Sequence, residues 1–361
     1  MNDILHIYVG GAQPDPCFAT IGEAIAYASR GYAPSPAAYP APDEELPPVV
    51  IHIAPGVYRE KLVLERPYVT LLGSSAQDTV LVWGDYARQV LEDGSQRGTF
   101  RTAAFRIHTH DVTLEQLTIR NDAGCGRRVG QAIALYADGD RLHLKHCRLL
   151  GSQDTLFTAP LPLKEAQPGG FVGPGEHLPR TMGRQYYEHC YIQGDVDFIF
   201  GGAICYFEAC EIFAAQPDFE ACERFDARPE QLPPESPQGQ QIYGYLTAAS
   251  TPREQAYGYV FHSCRLRSDC PPGSVYLGRP WREYARTVYL ECFMDEHIHP
   301  VGWEDWGKTH GHFYYGEYAC YGPGSAADGR ADFSCQLTAQ EAAGYGREQV
   351  LAGWEPMDGC L

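Results

Sequence analysis

Two aspartates stand at the same distance along the chain from two cysteines. Asp154 follows Cys147 by seven residues, and Asp197 follows Cys190 by seven residues. If the two cysteines occupy equivalent positions on adjacent rungs of a repeated structure, the carboxyl groups face one another across about 5 Å. Carboxyl groups at that separation do not both ionise easily, so one pKa rises while the other stays low. The spacing therefore predicts one acid and one base or nucleophile in a single site.

Each aspartate taken alone has a simpler explanation, because Asp commonly ends a strand and forms the following turn. The shared offset is what favours a functional pair. Both aspartates are followed by apolar residues, in the segments 155–157 and 198–200. Burial among apolar side chains disfavours the charged form of a carboxyl group, which strengthens the prediction of a raised pKa.

The cysteines belong to an internal repeat. Its unit is a large apolar residue, two variable residues, Cys or Leu, one variable residue and a second large apolar residue. The unit occurs six times, at 114–119, 144–149, 187–192, 207–212, 261–266 and 289–294. The second half of each unit has the period of two that is typical of a strand. Where no insertion intervenes, the spacing of about 20 to 30 residues suits a three-faced parallel β-helix.

In such a solenoid the repeated cysteines stack on one inner wall, and this predicts a ladder of Cys147, Cys190, Cys210, Cys264 and Cys292. The alternative is a ladder of disulfides, since rungs about 4.8 Å apart are close enough. Stacked Cα–Cβ bonds run parallel, however, and parallel bonds give poor disulfide geometry. The sequence therefore favours free thiols that act as small interior hydrophobes.

The ends of the repeat carry helix signals. Thr20 and Glu23 form a capping box that opens an N-terminal capping helix, and Thr338 and Glu341 form a second one that opens a C-terminal helical tail. We expect one all-β domain over residues 1–361, with loop insertions near 33–48, 159–183 and 215–241. These segments are rich in Pro, Gly and charged residues.

Composition narrows the possible partners. Hydrophobic residues make up 44% of the 361 residues and charged residues 20%, which predicts a folded core. The formal net charge of −18 argues against nucleic acid as a partner. No stretch approaches the roughly 20 apolar residues of a membrane span, so we expect no membrane partner. Residues 1–9 do not resemble a signal peptide, and the 13 cysteines fit no compact disulfide framework. We expect a cytoplasmic protein, the alternative being a secreted one whose signal has been removed.

Four further segments carry a resemblance to a known family. In order they are 131–135 (QAIAL), 151–157 (GSQDTLF), 195–201 (DVDFIFG) and 277–281 (LGRPW). They resemble the signature segments of the pectin methylesterases (pectinesterases, carbohydrate esterase family 8). Segments 98–102, 300–303 and 315–317 fit the same family, so the resemblance runs from about residue 7 to 354. It implies a right-handed parallel β-helix that hydrolyses methyl esters of galacturonate in pectin or its oligomers. We expect a monomer without a cofactor or metal.

The resemblance also implies a division of labour. Asp197 would be the nucleophile and Asp154 the general acid and base. Gln131 and Gln153 would stabilise the oxyanion with their amide groups, and Arg279 would orient Asp197. Substrate contacts would come from Thr99, Tyr136, Phe157, Phe200 and Trp281.

Each of these residues also has an ordinary structural explanation. Gln131 could cap a strand, Arg279 could form a surface ion pair, and the aromatic residues could fill the core. The chain departs from the family pattern at three positions: Asp195 stands where Thr is usual, Gly202 where Asn or Ser is usual, and Phe157 where Tyr is usual. The insertion 159–183 follows the Asp154 segment directly, and we expect it to wall off part of the cleft and favour shorter chains.

Three other functions deserve comparison. The pairs His297 and His299, and His310 and His312, have the i, i+2 spacing of strand metal ligands, but no carboxylate or Cys completes a set, so we expect surface histidines. Two carboxyl groups about 5 Å apart also suit a retaining pectin glycosidase. A catalytically silent β-helix that binds polysaccharide or a CoA-type ligand is the third possibility. The intact set of glutamines, aspartates and arginine argues against it.

Overall fold

The fold is taken from a computed structural model that describes residues 4–11, 14–32, 46–217, 239 and 241–356. Most of the predicted insertions 33–48 and 215–241 therefore lie outside the described residues, whereas 159–183 is described throughout.

Three long parallel sheets, which we call A, B and C, form the body of the molecule. Sheet A has twelve strands, ordered in space as Cys17–Phe18, Leu5–Val9, Val49–Ile53, Val69–Gly73, Val112–Glu115, Leu142–Lys145, Arg184–Glu188, Ile204–Glu208, Tyr259–His262, Arg286–Leu290, Tyr314–Tyr318 and Ser334–Gln336. Sheet B has eight, Gly56–Arg59, Thr79–Trp83, Thr118–Asn121, Arg148–Leu150, Tyr191–Gly194, Glu211–Ala214, Arg265–Ser268 and Phe293–Met294. Sheet C has seven, Leu62–Leu64, Phe105–His108, Leu135–Asp138, Leu156–Thr158, Ile199–Gly201, Thr247–Ala249 and Arg279–Pro280. A small parallel pair joins Gly244–Tyr245 to Val275–Tyr276.

Successive strands of one sheet belong to successive turns of the chain, which is the connectivity of a parallel β-helix. Ile119 of sheet B pairs with Leu149, and Leu149 pairs with Ile192. All three side chains are fully buried, and burying each one stabilises the fold by about 1.5–3 kcal/mol. The prediction of an all-β parallel β-helix is confirmed.

The predicted cysteine ladder is also confirmed. The residues that follow Cys147, Cys190 and Cys210 pair with one another in sheet B, so the cysteines occupy equivalent positions. Each Sγ donates to a carbonyl oxygen one rung earlier, such as Cys190 to Leu144 at 3.4 Å. All five predicted ladder cysteines are free and buried. The sequence comparison missed Cys320, whose Sγ donates to the rung before in the same way. Cys125 lies outside the ladder and is disulfide-bonded.

Helices account for little of the described chain. Helix α1 (Ile21–Ala28) begins at the predicted capping box of Thr20 and Glu23 and packs on the first strands of sheet A. Helix α2 (Gly126–Val129) lies between sheets B and C, and short 3-10 turns occupy Thr99–Arg101, Ala327–Gly329 and Ala343–Tyr345. In the described chain, no helix is long and apolar enough to cross a membrane.

The C-terminal helical tail forms where it was predicted but packs differently from a simple end cap. Helix α3 (Ala339–Ala342) begins at the second capping box, and helix α4 (Arg347–Val350) follows. Val350 and Leu351 pack with Tyr186 and Tyr206 on the outer face of sheet A. The tail therefore folds back over the side of the solenoid, because those tyrosines offer an apolar surface there.

Candidate active site

Asp154 and Asp197 occupy the same turn on two consecutive rungs. Leu156 and Ile199 pair with each other in sheet C, and Asp154 and Asp197 each lie two residues before their member of this pair. The Asp154 backbone N–H donates to the Val196 carbonyl oxygen at 3.1 Å. Both aspartates adopt the left-handed backbone conformation, with φ of 65° and 51°. The predicted register is confirmed, and it sets the two carboxyl groups about one rung apart.

The two carboxyl groups have different environments. Burial raises the pKa of Asp154 well above its usual range, and the negative charge of Asp197 raises it further. Asp197 instead receives two parallel hydrogen bonds from Arg279, from Nε to Oδ1 and from Nη2 to Oδ2, both 2.8 Å long. A bidentate guanidinium pair of this kind favours a carboxylate and fixes its orientation. The site therefore combines a protonated acid with a paired carboxylate.

Arg279 is itself held firmly. Its guanidinium carbon lies 3.8 Å from the ring centroid of Tyr245 and 3.8 Å from the ring centroid of Trp306. Nη1 lies 3.7 Å from Oε2 of Glu304, and Asp197 raises the pKa of Arg279 against the effect of burial. Aromatic faces and a second carboxylate thus fix the group that orients Asp197.

Sequence reasoning missed these partners of Arg279. Glu304 and Trp306 lie directly after the quoted segment 300–303, so an extension of that segment would have included them. Tyr245 has no comparable signal, because it is brought to Arg279 by strand pairing between distant segments.

Asp195 lies close to the pair, as predicted. Its carboxyl group is buried, and Oδ1 accepts from the Val196 backbone N–H at 2.6 Å. Burial raises the pKa of Asp195 to about 7, although Val196 and the charge of Arg127 lower it. The positive φ of Asp197 bends the chain, so strand alternation does not continue from Asp195 to Asp197. Asp195 also contributes to the raised pKa of Asp154.

The two predicted oxyanion glutamines lie on neighbouring rungs beside Asp154. Gln153 immediately precedes Asp154, and its carbonyl oxygen accepts from the backbone N–H of Ala132 at 3.1 Å. Gln131 is next to Ala132, so the two glutamines lie on neighbouring rungs, and both side chains are half-buried. Gly126 of helix α2 packs so tightly on Gln153 that an added Cβ would come within 2.6 Å of the Gln153 Cβ. Helix α2 thus restricts the position of Gln153.

The predicted aromatic contacts form one cluster beside the aspartates. Phe157 stacks edge-on against Tyr136, with ring centroids 4.7 Å apart, and lies 4.8 Å from Phe200. Trp281 stays partly exposed and contacts Phe200 at 5.6 Å between centroids. Tyr136 and Phe157 are 1% and 0% exposed, so they present no free face in this structure. Of the five predicted contacts, Trp281 and the half-buried Thr99 are the accessible ones.

The insertion 159–183 is what covers this cluster. Phe171 packs against Phe100, with ring centroids 5.8 Å apart, and against Trp281, at 6.3 Å. Leu161 joins the same cluster and is 3% exposed. The segment therefore forms a wall over the aromatic residues beside the aspartates, in the place where the sequence suggested one.

The four histidines do not form a metal site. No group of three or more His, Cys, Asp or Glu side chains that could hold a metal occurs in the described ranges. The expectation of surface histidines holds for His310 and His312, with exposed fractions of 54% and 47% for their side chains. It is wrong for His297 and His299, which are 1% and 3% exposed. Burial lowers the pKa of His297 to about 4, so this ring is accommodated as a neutral interior group.

Comparisons with known proteins agree with this geometry. The family model described as Pectinesterase matches residues 33–161 and 176–353. The chain belongs to the pectinesterase family. It is 34% identical to Pectinesterase QRT1 of Arabidopsis thaliana over 86% of this chain and 71% of that protein. It is 31% identical to Pectinesterase 31 of the same plant, over 82% of this chain and 80% of that protein.

Solved structures of the family share the architecture. Pectin methylesterase PemA from Erwinia chrysanthemi superposes with a TM-score of 0.72 at 29% identity, covering 97% of this chain and 98% of that one. The pectin methylesterase from carrot gives a TM-score of 0.70 at 27% identity, covering 96% and 92%. The chain is therefore an ester hydrolase with the parallel β-helix of the pectin methylesterases.

Proposed function

We propose that this pectinesterase removes methyl groups from galacturonate residues through an acyl-enzyme formed on Asp197, with Asp154 as the proton carrier. The observation that carries the proposal is the asymmetry of the aspartate pair: Arg279 grips one carboxyl group, and burial keeps a proton on the other. Two carboxyl groups in identical surroundings would have the same pKa and would not divide into a nucleophile and an acid.

In the first half of the reaction, the Asp197 carboxylate attacks the C6 carbonyl carbon of a methyl galacturonate. The bond from C6 to the methoxy oxygen breaks, and Asp154 donates its proton to that oxygen, so methanol leaves. The product is an anhydride between Asp197 and C6. Gln131 and Gln153 carry amide donors at the rim of the pair, and a preorganised donor stabilises an oxyanion by about 3 kcal/mol.

In the second half, Asp154 is ionised and takes a proton from water. The resulting hydroxide attacks C6 of the anhydride, Asp197 leaves as a carboxylate, and Asp154 is again protonated. Ester and water have then become galacturonic acid and methanol. This alternation needs an acid whose pKa lies well above that of an ordinary Asp, which the burial of Asp154 provides.

Substrate chemistry follows from the family and the accessible residues. One of the structural relatives is a pectin methylesterase in complex with a hexasaccharide, with a TM-score of 0.73 at 28% identity. Trp281 contacts Phe200 and stays partly exposed, so part of its ring is available to a sugar. We therefore propose methyl-esterified homogalacturonan or its oligomers as the substrate, and the wall formed by 159–183 favours shorter chains.

Methanol release from methylated pectin and from short methylated oligogalacturonides tests the proposal. We expect methanol without new reducing ends, whereas a glycosidase would produce reducing ends and no methanol. Asp197→Ala should lower the rate by at least about 10⁴-fold, on the scale of losing a catalytic nucleophile. Thermal unfolding of the variant checks that the fold is kept. Turnover by the folded Asp197→Ala variant would refute the role of Asp197.

A further inference from the structure

The outer face of sheet B carries positive charge, opposite in sign to the net charge of the whole molecule. Its outward positions are fixed by register, since the residues between them, such as Ile192 and Leu266, point into the core. The outward side chains of these fully described strands include one acid, Glu211, and five arginines, Arg59, Arg120, Arg148, Arg265 and Arg267. The whole chain has 46 acidic against 28 basic residues, so this face is locally cationic on an anionic protein.

Most of these arginines have their charge available. Arg120, Arg265 and Arg267 are exposed, and Arg148 is half-buried. Only Arg59 of the five forms an ion pair within the described ranges, with Asp122. Guanidinium groups that have no ion pair among the described residues attract an extended anion, because each can donate two parallel hydrogen bonds to a carboxylate.

Aromatic rings lie between the arginines. Tyr191 stacks on Phe213, with ring centroids 5.9 Å apart and an interplanar angle of 28°. The guanidinium carbon of Arg148 lies 5.2 Å from the Tyr191 centroid. The guanidinium carbon of Arg265 lies 5.3 Å from the ring centroid of Phe293. We call these four arginines, Arg120, Arg148, Arg265 and Arg267, with Tyr191, Phe213 and Phe293 the arginine–aromatic face.

A depression of about 530 Å³ opens at the edge of this face, where sheet A passes into sheet B. Arg148 and Tyr191 line it together with the amides of Gln77 and Gln116. Two stacked imidazoles, His146 and His189, complete the polar lining, with ring centroids 5.2 Å apart, and no acidic side chain lines it. The depression thus combines amides that can bond hydroxyl groups, an aromatic ring that can pack on a sugar face, and a guanidinium group that can pair with a carboxylate.

We propose that the arginine–aromatic face binds a polyuronate chain that carries free carboxylates, the polymeric product of the esterase reaction. This inference rests on the proposed function, because that function is what supplies the anionic polymer. Arg148 and Arg265 lie three rungs apart in one outward row of the sheet, and Arg120 and Arg267 lie four rungs apart in the next row. Because rungs repeat about every 4.8 Å, an extended polymer along these rows meets cations roughly 14 to 19 Å apart. Leu150 and Gln193 of sheet B stand four residues before Asp154 and Asp197. The face therefore adjoins the turns from sheet B to sheet C that carry the two aspartates.

A polyuronate fits better than the other anions. A nucleic acid duplex carries one charge per about 1.7 Å. The net charge of −18 beyond this face therefore opposes it more strongly than a polyuronate, which has at most one carboxylate per sugar. An acidic protein, including a second copy of this chain, would use the arginines but leave the amide-lined depression without a role. A uronate polymer uses both the arginines and the amide-lined depression.

The test compares Arg120→Glu/Arg267→Glu with Arg30→Glu/Arg253→Glu. All four arginines are exposed. Arg120 pairs across the sheet with Leu150 and Arg267 with Phe213, so neither new glutamate lies directly opposite Glu211. Arg30 and Arg253 lie over tyrosine rings away from sheet B, so the control matches the test variant in charge change and exposure.

Binding is measured on fully de-esterified polygalacturonate without divalent cations, at low and high salt. We expect Arg120→Glu/Arg267→Glu to bind on the order of tenfold more weakly at low salt, with the difference shrinking at 1 M salt, where the screening length is about 3 Å. The Arg30→Glu/Arg253→Glu control should stay within about twofold of the unaltered protein. Fully methylated, uncharged pectin should bind both variants equally.

Equal binding of polygalacturonate by the two double variants would overturn the proposal. So would self-association of the unaltered protein that Arg120→Glu/Arg267→Glu abolishes without any change in polymer binding, since the face would then join copies of the chain. The binding measurement does not depend on turnover. Failure of the unaltered protein to release methanol from any methylated substrate would instead reject the proposed function.

Discussion

In the two rungs that carry Asp154 and Asp197, two turns share one backbone conformation but serve opposite purposes. The turn from sheet A to sheet B carries a left-handed residue, His146 or His189, followed by a ladder cysteine. The turn from sheet B to sheet C carries a left-handed aspartate, Asp154 or Asp197. The backbone bends alike in both, so the repeat itself sets the register, and the side chain alone decides the consequence.

The consequence differs because thiols and carboxyl groups respond differently to burial. Burial raises the pKa of the Cys147 and Cys190 thiols, so they stay neutral, and each donates to the carbonyl oxygen one rung earlier and packs as a small hydrophobe. Stacked carboxyl groups compete for a proton and need an arginine, which itself needs Tyr245, Trp306 and Glu304. One ladder stabilises the solenoid, and the other holds a strained pair that can do chemistry.

The sharpest test of this comparison is Asp154→Asn. The amide keeps the shape but cannot deliver the proton, so we expect kcat for methanol release to fall about 10³-fold, within the usual range of general acid–base catalysis. Circular dichroism and thermal unfolding serve as the fold control. A variant that kept the native rate would show that the raised pKa of Asp154 has no catalytic use.

The same variant predicts a pH effect on stability. Asp154 in the unfolded chain ionises above about pH 3.9, whereas burial keeps it protonated in the folded protein. The folded state then binds more protons, so the Asp154 contribution lowers the free energy of unfolding as pH rises from about 4 to the raised pKa. We expect Asp154→Asn to be more stable than the unaltered protein near pH 7 by about 0.5–2 kcal/mol, with the gain vanishing near pH 3. A gain that grew towards low pH would contradict this sign.

The pH–rate profile follows from the same asymmetry. Activity needs a proton on Asp154 and none on Asp197, so kcat should fall as pH rises through the raised pKa of Asp154. A flat profile across the acid and neutral range would argue against a coupled pair.

Arg279→Lys tests whether orientation matters beyond charge. Lysine keeps the positive charge but loses the two parallel hydrogen bonds of 2.8 Å and the flat contacts with Tyr245 and Trp306. We expect kcat to fall about 10²-fold with KM nearly unchanged. Arg253→Lys, at an exposed position, is the matched control and should be neutral. Equal activity of both variants would mean that a point charge is sufficient.

Cys210→Ala probes the other ladder. The buried thiol lies between Cys190 and Cys264, and its removal leaves a small cavity and deletes the hydrogen bond from Sγ to the Tyr187 carbonyl oxygen. We expect a loss of about 1–2 kcal/mol in the free energy of unfolding with unchanged kcat, measured by denaturant unfolding and methanol release. Cys17→Ala, half-buried and off the ladder, should cost under about 0.5 kcal/mol. A selective loss of kcat in Cys210→Ala would break the division between the ladders.

Glu304→Gln should have the smallest effect. Burial raises the pKa of Glu304, and Arg279 lowers it, so the carboxylate stabilises the arginine only in part. Removing its charge should reduce kcat by about fivefold at most, the scale of a partly exposed ion pair. Glu283→Gln, at an exposed acid, provides the comparison and should be silent. A larger fall than that of Arg279→Lys would make Glu304 a principal residue of the site.

The sequence by itself determined the repeat and the register of the two aspartates. The cysteine pattern predicted the rungs, and the offset of seven residues placed Asp154 and Asp197 in register, because a solenoid converts equal spacing into spatial adjacency. The capping boxes at Thr20 and Thr338 predicted where helices begin, since they depend on residues three apart. Local signals of this kind survive in any tertiary context.

Only the tertiary structure decided which side chains are covered and which are paired. In the structure, segment 159–183 covers Tyr136 and Phe157, and His297 is buried as well. This burial arises from contacts between segments that are distant in the sequence, so no local pattern predicts it. The tertiary structure also folded the C-terminal tail over sheet A and placed Tyr245 on Arg279. The sequence predicted that one carboxyl group of the pair has a raised pKa. Which one it is, Asp154, follows from desolvation that only the packed rungs provide.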